Sequence, residues 1–385
     1  MTLWNHYVFR RGPDVHDLWE PLHAGRTLRL LYIAGRGFDV RAQVAMREYL
    51  TSLKGSGVHV ESAKLLLVGF SGYQLDDSLR DLTAQNAQAL EAMFAPFGST
   101  TVINVGAAPG EDVSATHALR RGVNDVLKQV LDQTDIVLDV SSLPRVGYLA
   151  LMTSILNRLI PDKTITDPLA AKGVNFQVMV AEDANLDAQI LAEDLSSDPV
   201  LVPGFSSAVQ VESVQDWPLV WFPILGEHRV NQLQQIMKSN LIPDAAEICP
   251  VLPHPSRNAR RADRLLVEYK EPLFDARATP ASNILYAHEL HPFEAYRQLL
   301  SAMQRYRRSM AIMGGSRLVV SPLGSKLITL GAGLACFEMR PDDLNAQYGV
   351  AIPHAEPNRY AVSIDRLKES KPEISTLLLT GHAYA

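Results

Sequence analysis

Residues 135–156, DIVLDVSSLPRVGYLALMTSIL, join a short apolar segment, a compact polar turn and a longer apolar segment. The first segment predicts a strand buried on both faces, as in a parallel sheet, and the last predicts a helix buried on almost every side. The turn brings a carboxylate, two hydroxyls and a guanidinium close to the free backbone N–H groups of a helix start. A strand, a polar turn and a helix in this order are typical of a site for an anionic or nucleotide-like ligand.

The composition limits the class of protein. The chain has 385 residues, 47% hydrophobic and 20% charged, which predicts a globular protein with two domains. A formal net charge of −6 argues against general nucleic-acid binding. The two cysteines, Cys249 and Cys336, cannot form a disulfide framework, so we expect a reduced, cytoplasmic protein. The amino terminus lacks a signal-peptide pattern and the apolar stretches are too short or too polar for a membrane span, so we expect no membrane association.

Strand-like and helix-like segments alternate along both halves of the chain. In the first half, the strand candidates besides the one that opens at Asp135 are residues 27–34, 64–69, 101–105 and 175–180. In the second half they are residues 219–225, 246–252, 283–287, 317–320, 348–352 and 360–363. Amphipathic or apolar helical patterns separate most of these segments. We therefore predict an α/β protein of two Rossmann-like units with mainly parallel sheets.

The segment between the halves differs in composition. Residues 186–215 contain LAEDLSSDPVLVPGFSSAVQ, which is rich in Ser, Asp, Pro and Gly. Such a composition predicts a linker. The predicted organisation is an N-terminal unit of residues 1–185, a linker of residues 186–215 and a C-terminal unit of residues 216–385.

The first polar turn is GRGFDVR, residues 35–41, directly after the first predicted strand. Glycines allow the backbone to approach a ligand closely, and an arginine fork suits a carboxylate or phosphate. The turn is not a G-x-G-x-x-G dinucleotide motif, because Val40 stands where the third glycine belongs. The candidate ligand-binding residues of this turn are Gly35, Arg36, Gly37, Asp39 and Arg41.

This turn resembles the first motif of the leucine carboxyl methyltransferase family, Gly-x-Gly-x-Asp-x-Arg, which implies an S-adenosylmethionine site. The match is confined to this turn, and the next predicted strand, KLLLVGFSG, does not end in the acidic residue that would hold the ribose of that cofactor. The alternative is a tight strand-to-helix turn that contains an ion pair between Asp39 and Arg41.

The second polar turn is DVSSLPR, residues 139–145. It resembles the strand-four motif of CRISPR-associated Rossmann-fold (CARF) domains, with Asp139, Ser141 and Arg145 at the matching positions. In that family the loops after strands one and four hold a cyclic oligonucleotide, so Ser142 also becomes a candidate. The turn departs from the family in having Leu-Pro where Gly-Thr is frequent. The alternative is an ordinary helix start with serine capping and a solvated Arg145.

The turn SPLGSK, residues 321–326, follows a strand and precedes an apolar helix in the second half. It resembles the same CARF loop, although no aspartate occupies the earlier position, and its candidates are Ser321, Gly324, Ser325 and Lys326. Tandem CARF-like units resemble the SAVED domains of bacterial immune effectors, in which the loops of two units face one ligand. The alternative is that Lys326 is a surface residue and the glycine serves helix packing.

Motifs for catalysis and metal binding are not found in the sequence. It contains no G-x-S-x-G, no P-loop and no HExxH. His288, Glu289 and His291 are close in sequence, but this spacing before a proline does not predict a metal site. We therefore predict no metal site, and the sequence identifies neither a resident cofactor, apart from a candidate nucleotide ligand, nor a catalytic residue.

These observations lead to the hypothesis of a cytoplasmic nucleotide-binding or nucleotide-sensing protein, either a receptor for a cyclic oligonucleotide or a subunit of an antiphage defence system. The residues expected to bind phosphates are Arg41, Arg145 and Lys326. Those expected to donate hydrogen bonds to the ligand are Ser141, Ser142 and Ser325. Asp39 and Asp139 would orient the arginines or accept from ribose hydroxyls. A protein partner or a homo-oligomer would supply the output. The alternatives are a methyltransferase or nucleotide-processing enzyme, and a non-catalytic subunit of a larger complex.

Overall fold

The computed structural model describes residues 2–106, 113–187, 189–340 and 349–385. The chain divides into two compact units. Unit 1 comprises Met1–Ile190 and Tyr360–Ala385, and unit 2 comprises Leu191–Arg359.

The strands are β1 (Val8–Arg11), β2 (Thr27–Gly35), β3 (His59–Phe70), β4 (Ser99–Val105), β5 (Asp135–Asp139), β6 (Asn175–Glu182), β7 (Leu191–Leu195), β8 (Val200–Ser206), β9 (Leu219–Ile224), β10 (Glu247–Ile248), β11 (Val251–Pro253), β12 (Leu285–Ala287), β13 (Arg317–Pro322), β14 (Val350–His354), β15 (Pro357–Ala361) and β16 (Glu373–Thr380). The helices are α1 (Val15–His23), α2 (Arg41–Gly55), α3 (Asp77–Phe94), α4 (Ala115–Leu127), α5 (Arg145–Leu159), α6 (Ala184–Asp187), α7 (Ser207–Gln210), α8 (Val230–Lys238), α9 (Arg261–Glu268), α10 (Pro292–Ser309), α11 (Lys326–Glu338) and α12 (Ile364–Glu369).

The sheet of unit 1 has the spatial order β1-β16-β6-β5-β2-β3-β4. Strands β2 to β6 are parallel, and β16 runs antiparallel to both β6 and β1. If the parallel strands are numbered one to five along the chain, their spatial order is 3-2-1-4-5. This is the order of a Rossmann-like half.

The sheet of unit 2 repeats this arrangement. Its order is β12-β11-β9-β13-β14-β8, and the short β10 pairs with β9. Strands β9, β11, β12, β13 and β14 are parallel and again lie in the order 3-2-1-4-5, while β8 is an antiparallel edge strand. The predicted α/β class with two Rossmann-like units and mainly parallel sheets is confirmed.

The structure corrects the predicted domain boundaries. Residues 186–215 are not a linker, because they contain β7, β8 and α7. Their composition suggested a loop, but β8 lies at a sheet edge, where Pro203 and Gly204 are tolerated. Residues 360–385 return to unit 1, because β16 pairs with β6. The strands β7 and β15 pair with each other where the chain crosses between the units.

The helix that follows strand four of each unit is buried on nearly all sides. In α5, residues such as Leu149, Leu151 and Ile155 are at most 1% exposed, and α11 is buried from Leu327 to Phe337. Burial of one such aliphatic side chain contributes roughly 1.5–3 kcal/mol, so packing along the whole length of each helix stabilises the helix that follows the polar turn. No helix in the described part of the chain has the length and apolarity needed to cross a membrane.

Candidate functional site

The candidate site of unit 1 lies at the carboxyl ends of β2 and β5. These two strands are neighbours, and the connections that follow them lead toward opposite ends of the strand order. Ligands of doubly wound sheets bind at such a switch point. The two polar turns of the first half, residues 35–41 and 139–145, follow β2 and β5, so the fold brings them together.

Gly35, Gly37 and Ser142 form the contact between these two turns. The Ser142 Oγ donates a hydrogen bond of 2.8 Å to the Gly35 carbonyl oxygen. A Cβ atom at Gly35 would lie 2.7 Å from the Ser142 carbonyl oxygen, and one at Gly37 would lie 3.0 Å from it. The glycines therefore permit a backbone approach that larger residues would prevent.

The side chains of Asp139 and Ser141 make hydrogen bonds in the interior of unit 1. Asp139 is fully buried and accepts hydrogen bonds from the Tyr32 hydroxyl (3.1 Å) and the Ser141 backbone N–H (2.9 Å). Burial raises the pKa of Tyr32 well above its ordinary value, and the Asp139 carboxylate raises it further. The Ser141 Oγ accepts from the Ala181 backbone N–H at 2.9 Å. The predicted ligand roles of Asp139 and Ser141 are therefore wrong, because both side chains lie inside the unit.

Arg41 is also internal. Its Nε lies 2.9 Å from Asp39 Oδ1, and its Nη2 lies 2.6 Å from Asp39 Oδ2 and 2.7 Å from Asp187 Oδ1. Burial by itself would lower the pKa of Arg41, but the two carboxylates raise it well above its ordinary value. The predicted binding of phosphate by Arg41 is wrong, because its side chain is 1% exposed and engaged by these aspartates. Asp39 orients Arg41, and the pair joins the first turn to α6, as the alternative interpretation of this turn proposed.

Arg36 and Arg145 are the basic residues of these two turns that reach the surface. Arg36 is exposed and makes no ion pair with any described residue. Arg145 is the first residue of α5 and is partly exposed, with its Nε buried. The cap of α5 is Pro144 and no side chain caps the helix, so the predicted serine capping is wrong.

The corresponding point of unit 2 lies between β9 and β13. The register places Trp221 opposite Val319, just as it places Tyr32 opposite Val137 in unit 1. Ser321 is therefore the counterpart of Asp139. The Trp221 Nε1 donates to the buried Ser321 Oγ at 2.9 Å. The predicted ligand role of Ser321 is wrong for the same reason as that of Asp139.

The remaining residues of this turn lie at the start of α11. A Cβ atom at Gly324 would lie 2.8 Å from Ile224 Cγ2, so this glycine serves close packing against β9. Ser325 is the cap residue of α11, and its Oγ has no hydrogen-bond partner among the described residues. Lys326 is the first residue of the helix and is partly exposed.

An ion-pair cluster of Glu227, Arg261 and Glu289 crosses the carboxyl edge of unit 2. The Arg261 guanidinium contacts Glu227 through two bonds of 2.6 Å and also pairs with Glu289, which is 3% exposed. Burial would raise the pKa of Glu227, but the hydrogen bonds and charge of Arg261 lower it overall. This cluster joins the segments that follow β9, β11 and β12. It was missed because its members are about 30 residues apart, and each is unremarkable in its own turn.

The histidines near Glu289 make local contacts. The Nδ1 atoms of His288 and His291 accept from the backbone N–H groups of Leu290 and Glu294 at 3.1 and 3.3 Å. Burial lowers the pKa of His291. Within the described ranges, no group of three or more His, Cys, Asp or Glu side chains is arranged to hold a metal ion.

Comparison with known proteins identifies no family. No protein-family model matches the chain, and no curated protein matches it at a significant level. A structure assigned to a universal stress protein from Pseudomonas aeruginosa UCBPP-PA14 matches at 10% identity and a TM-score of 0.23, with 88% of this chain and 95% of that chain covered. The cytoplasmic domain of a prokaryotic cation chloride cotransporter matches at 11% identity and a TM-score of 0.24, with 86% and 97% covered. At these TM-scores the likeness supports no conclusion about family or function.

Proposed function

We propose that the protein is a cytoplasmic nucleotide-binding protein that senses its ligand at the switch points of its Rossmann-like units. One observation carries the proposal. In each unit, a polar turn that the sequence singled out follows strand four, at the position where doubly wound sheets bind ligands.

The proposed contacts come from residues of the polar turns whose side chains are exposed or half-buried. In unit 1, Arg36 and Arg145 offer positive charge, and Ser142 links the second turn to the first through its hydrogen bond to Gly35. In unit 2, Ser325 and Lys326 stand at the start of α11. A cation beside the amino-terminal N–H groups of a helix is a favourable environment for phosphate.

Sensing accounts for this geometry better than catalysis. The Ser142 hydroxyl donates to the Gly35 backbone carbonyl instead of to a general base, and the Ser141 hydroxyl is fully buried and accepts from a backbone N–H. The S-adenosylmethionine hypothesis loses its main residues, because Asp39 and Arg41 bind each other. The CARF resemblance makes a cyclic oligonucleotide the first ligand class to test. The output would then pass to a protein partner or a second copy of the chain.

A thermal-shift assay on the full chain tests this proposal. The panel contains cyclic diadenylate, cyclic triadenylate and S-adenosylmethionine, applied to the wild type, Arg145→Ala and Lys326→Ala. We expect a cyclic oligonucleotide to raise the melting temperature of the wild type and to lose most of this effect in at least Arg145→Ala. Arg158→Ala is the matched control, because Arg158 is exposed at the opposite end of α5.

Two results would contradict the proposal. Stabilisation by S-adenosylmethionine alone would favour the methyltransferase. If no compound of the panel stabilises the wild type, the non-catalytic subunit becomes the better hypothesis.

A further inference from the structure

Three aromatic side chains from separate segments of unit 1 meet near the first turn. Phe38 belongs to that turn, Tyr73 follows β3, and Tyr360 lies in β15 where the chain re-enters the unit. The Tyr360 ring centroid is 5.2 Å from that of Tyr73 and 5.9 Å from that of Phe38, and both ring pairs are tilted. All three residues are half-buried, so part of this aromatic cluster (Phe38, Tyr73 and Tyr360) faces solvent.

The aromatic cluster rests on an apolar base. Phe38 packs with other partly buried residues against a small core whose members are Leu79, Leu82, Leu186 and Leu367. This packing fixes the ring of Phe38, and the ring contacts extend that support to Tyr360 and Tyr73. A rigid, partly exposed group of rings loses little conformational entropy when a flat apolar ligand covers it.

Two polar groups suited to a nucleotide lie at the carboxyl edge of the same sheet, one directly after β2 and one near the end of β4. Arg36 precedes Phe38 by two residues, is exposed, and pairs with no carboxylate in the described part of the chain. A Cβ atom at Gly69 would lie 3.8 Å from Arg36 Cδ and 2.8 Å from Asn104 Oδ1, so the missing side chain leaves room for both. The carboxyl ends of β2, β3 and β4 therefore offer a guanidinium and an amide at the sheet edge from which the segments of Phe38 and Tyr73 emerge.

From this arrangement we infer that the aromatic cluster stacks against a nucleobase and that Arg36 binds a phosphate of the same nucleotide. The inference rests on the proposed function and extends it, because it assigns recognition of the base to residues outside the two polar turns. Each kind of base has a π-face, so the rings supply affinity, while the Asn104 amide can both donate to and accept from polar groups of the base or ribose.

Isothermal titration of the full chain with AMP and with ribose 5-phosphate tests the inference, because the two probes share a phosphate and differ in the base. We expect the wild type to bind AMP roughly 5- to 150-fold more tightly than ribose 5-phosphate, the range of one stacked base. Tyr360→Leu and Tyr73→Leu should weaken AMP binding toward the level of ribose 5-phosphate and leave the latter unchanged. Arg36→Ala should weaken both. Tyr286→Leu, an exposed tyrosine of unit 2, is the matched control.

A variant that keeps an aromatic ring separates a loss of binding from a loss of folding. Tyr360→Trp keeps an aromatic ring, and its fluorescence should be quenched by AMP and not by ribose 5-phosphate. Equal AMP affinity of the wild type and both leucine variants, or absence of AMP binding and quenching, overturns the inference. The proposed function survives either result if a cyclic oligonucleotide still stabilises the wild type and not Arg145→Ala. It fails together with the inference if neither nucleotide class binds.

Discussion

The two Rossmann-like units share a strand order but arrange their charges differently. In unit 1, Arg41 is enclosed by Asp39 and Asp187, and Arg36 remains exposed two residues from the aromatic cluster. In unit 2, Arg261 is held between Glu227 and Glu289, which come from two other segments. The same backbone frame can therefore present a cation to solvent or use one to join its loops.

The units agree more closely inside the sheet. In each, an aromatic donor on strand one binds a polar residue at the end of strand four, Tyr32 with Asp139 and Trp221 with Ser321. A carboxylate and a hydroxyl thus fill equivalent positions. In each unit this buried hydrogen bond fixes the first residue of the polar turn to the sheet. The other residues of the turn can therefore differ between the units.

The largest expected effect is the loss of Arg41. Arg41→Met leaves Asp39 and Asp187 without their cation, and removal of one partner from a buried pair costs about 3–5 kcal/mol. Hydrogen exchange should show weaker protection in peptides that cover β2 and β5, with β9 and β13 unchanged. Arg36→Met is the control and should change stability by less than about 0.5 kcal/mol, because Arg36 is exposed. Equal effects of the two variants would contradict the assignment of Arg41 to the interior.

The corresponding change in unit 2 is Arg261→Met, which leaves the buried Glu289 carboxylate without its guanidinium. We expect a loss of roughly 2–4 kcal/mol, somewhat less than in unit 1 because Arg261 is 13% exposed. Protection should fall in β9 and β11 and stay constant in β2. The exposed neighbour Arg260 provides the control, Arg260→Met. Unchanged protection of β9 would mean that the ion-pair cluster does not stabilise the unit.

Acid should affect unit 1 through His23. Burial and the positive charge of Arg26 lower the pKa of His23 from 6.5 to about 4, although the negative charge of Asp135 acts to raise it. The stabilisation by neutral His23 is therefore complete above pH 6.5 and is lost as the pH falls toward 4, by roughly 3 kcal/mol in total. Urea unfolding of wild type and His23→Gln at pH 7 and pH 4.5 measures it. The variant should lose less stability on acidification, and parallel losses would contradict the prediction.

The smallest expected losses of stability come from replacing Gly226 and Gly37, the glycines at which one turn closely approaches another. A Cβ atom at Gly226 would overlap the Leu323 carbonyl oxygen, whereas one at Gly37 would stand 3.0 Å from that of Ser142. Gly226→Ala should cost roughly 1–3 kcal/mol and Gly37→Ala less than about 1 kcal/mol, as measured by urea unfolding. Gly55→Ala is the control, because nothing lies within 4 Å of its new methyl group. A larger loss of stability in Gly37→Ala than in Gly226→Ala would contradict this prediction.

Local patterns predicted much of the fold correctly. The apolar run at Asp135 became β5, and the following apolar segment became α5. These predictions succeeded because strands and helices bury side chains with fixed periods that a short stretch of sequence displays. The positions of the polar turns were predicted correctly for the same reason, because each turn begins where the apolar pattern of a strand ends.

The roles of the turn residues were less predictable. Arg41 and Asp139 have the chemistry of ligand-binding residues, yet they are satisfied by Asp187 and Tyr32, which lie more than 100 residues away in the chain. The aromatic cluster draws its third ring, Tyr360, from the far end of the sequence. No local pattern shows such contacts, because they depend on which strands become neighbours.

Hydrophobic periodicity and turn chemistry were sufficient to predict the α/β alternation, the two units and the positions of the polar turns. The pairing of β16 in the first sheet, the strands within residues 186–215 and the burial of particular charged groups are visible in the folded chain alone. Strand pairing and ion pairing join segments far apart in the chain, and the free energy of each contact exists only once the fold has brought its partners together.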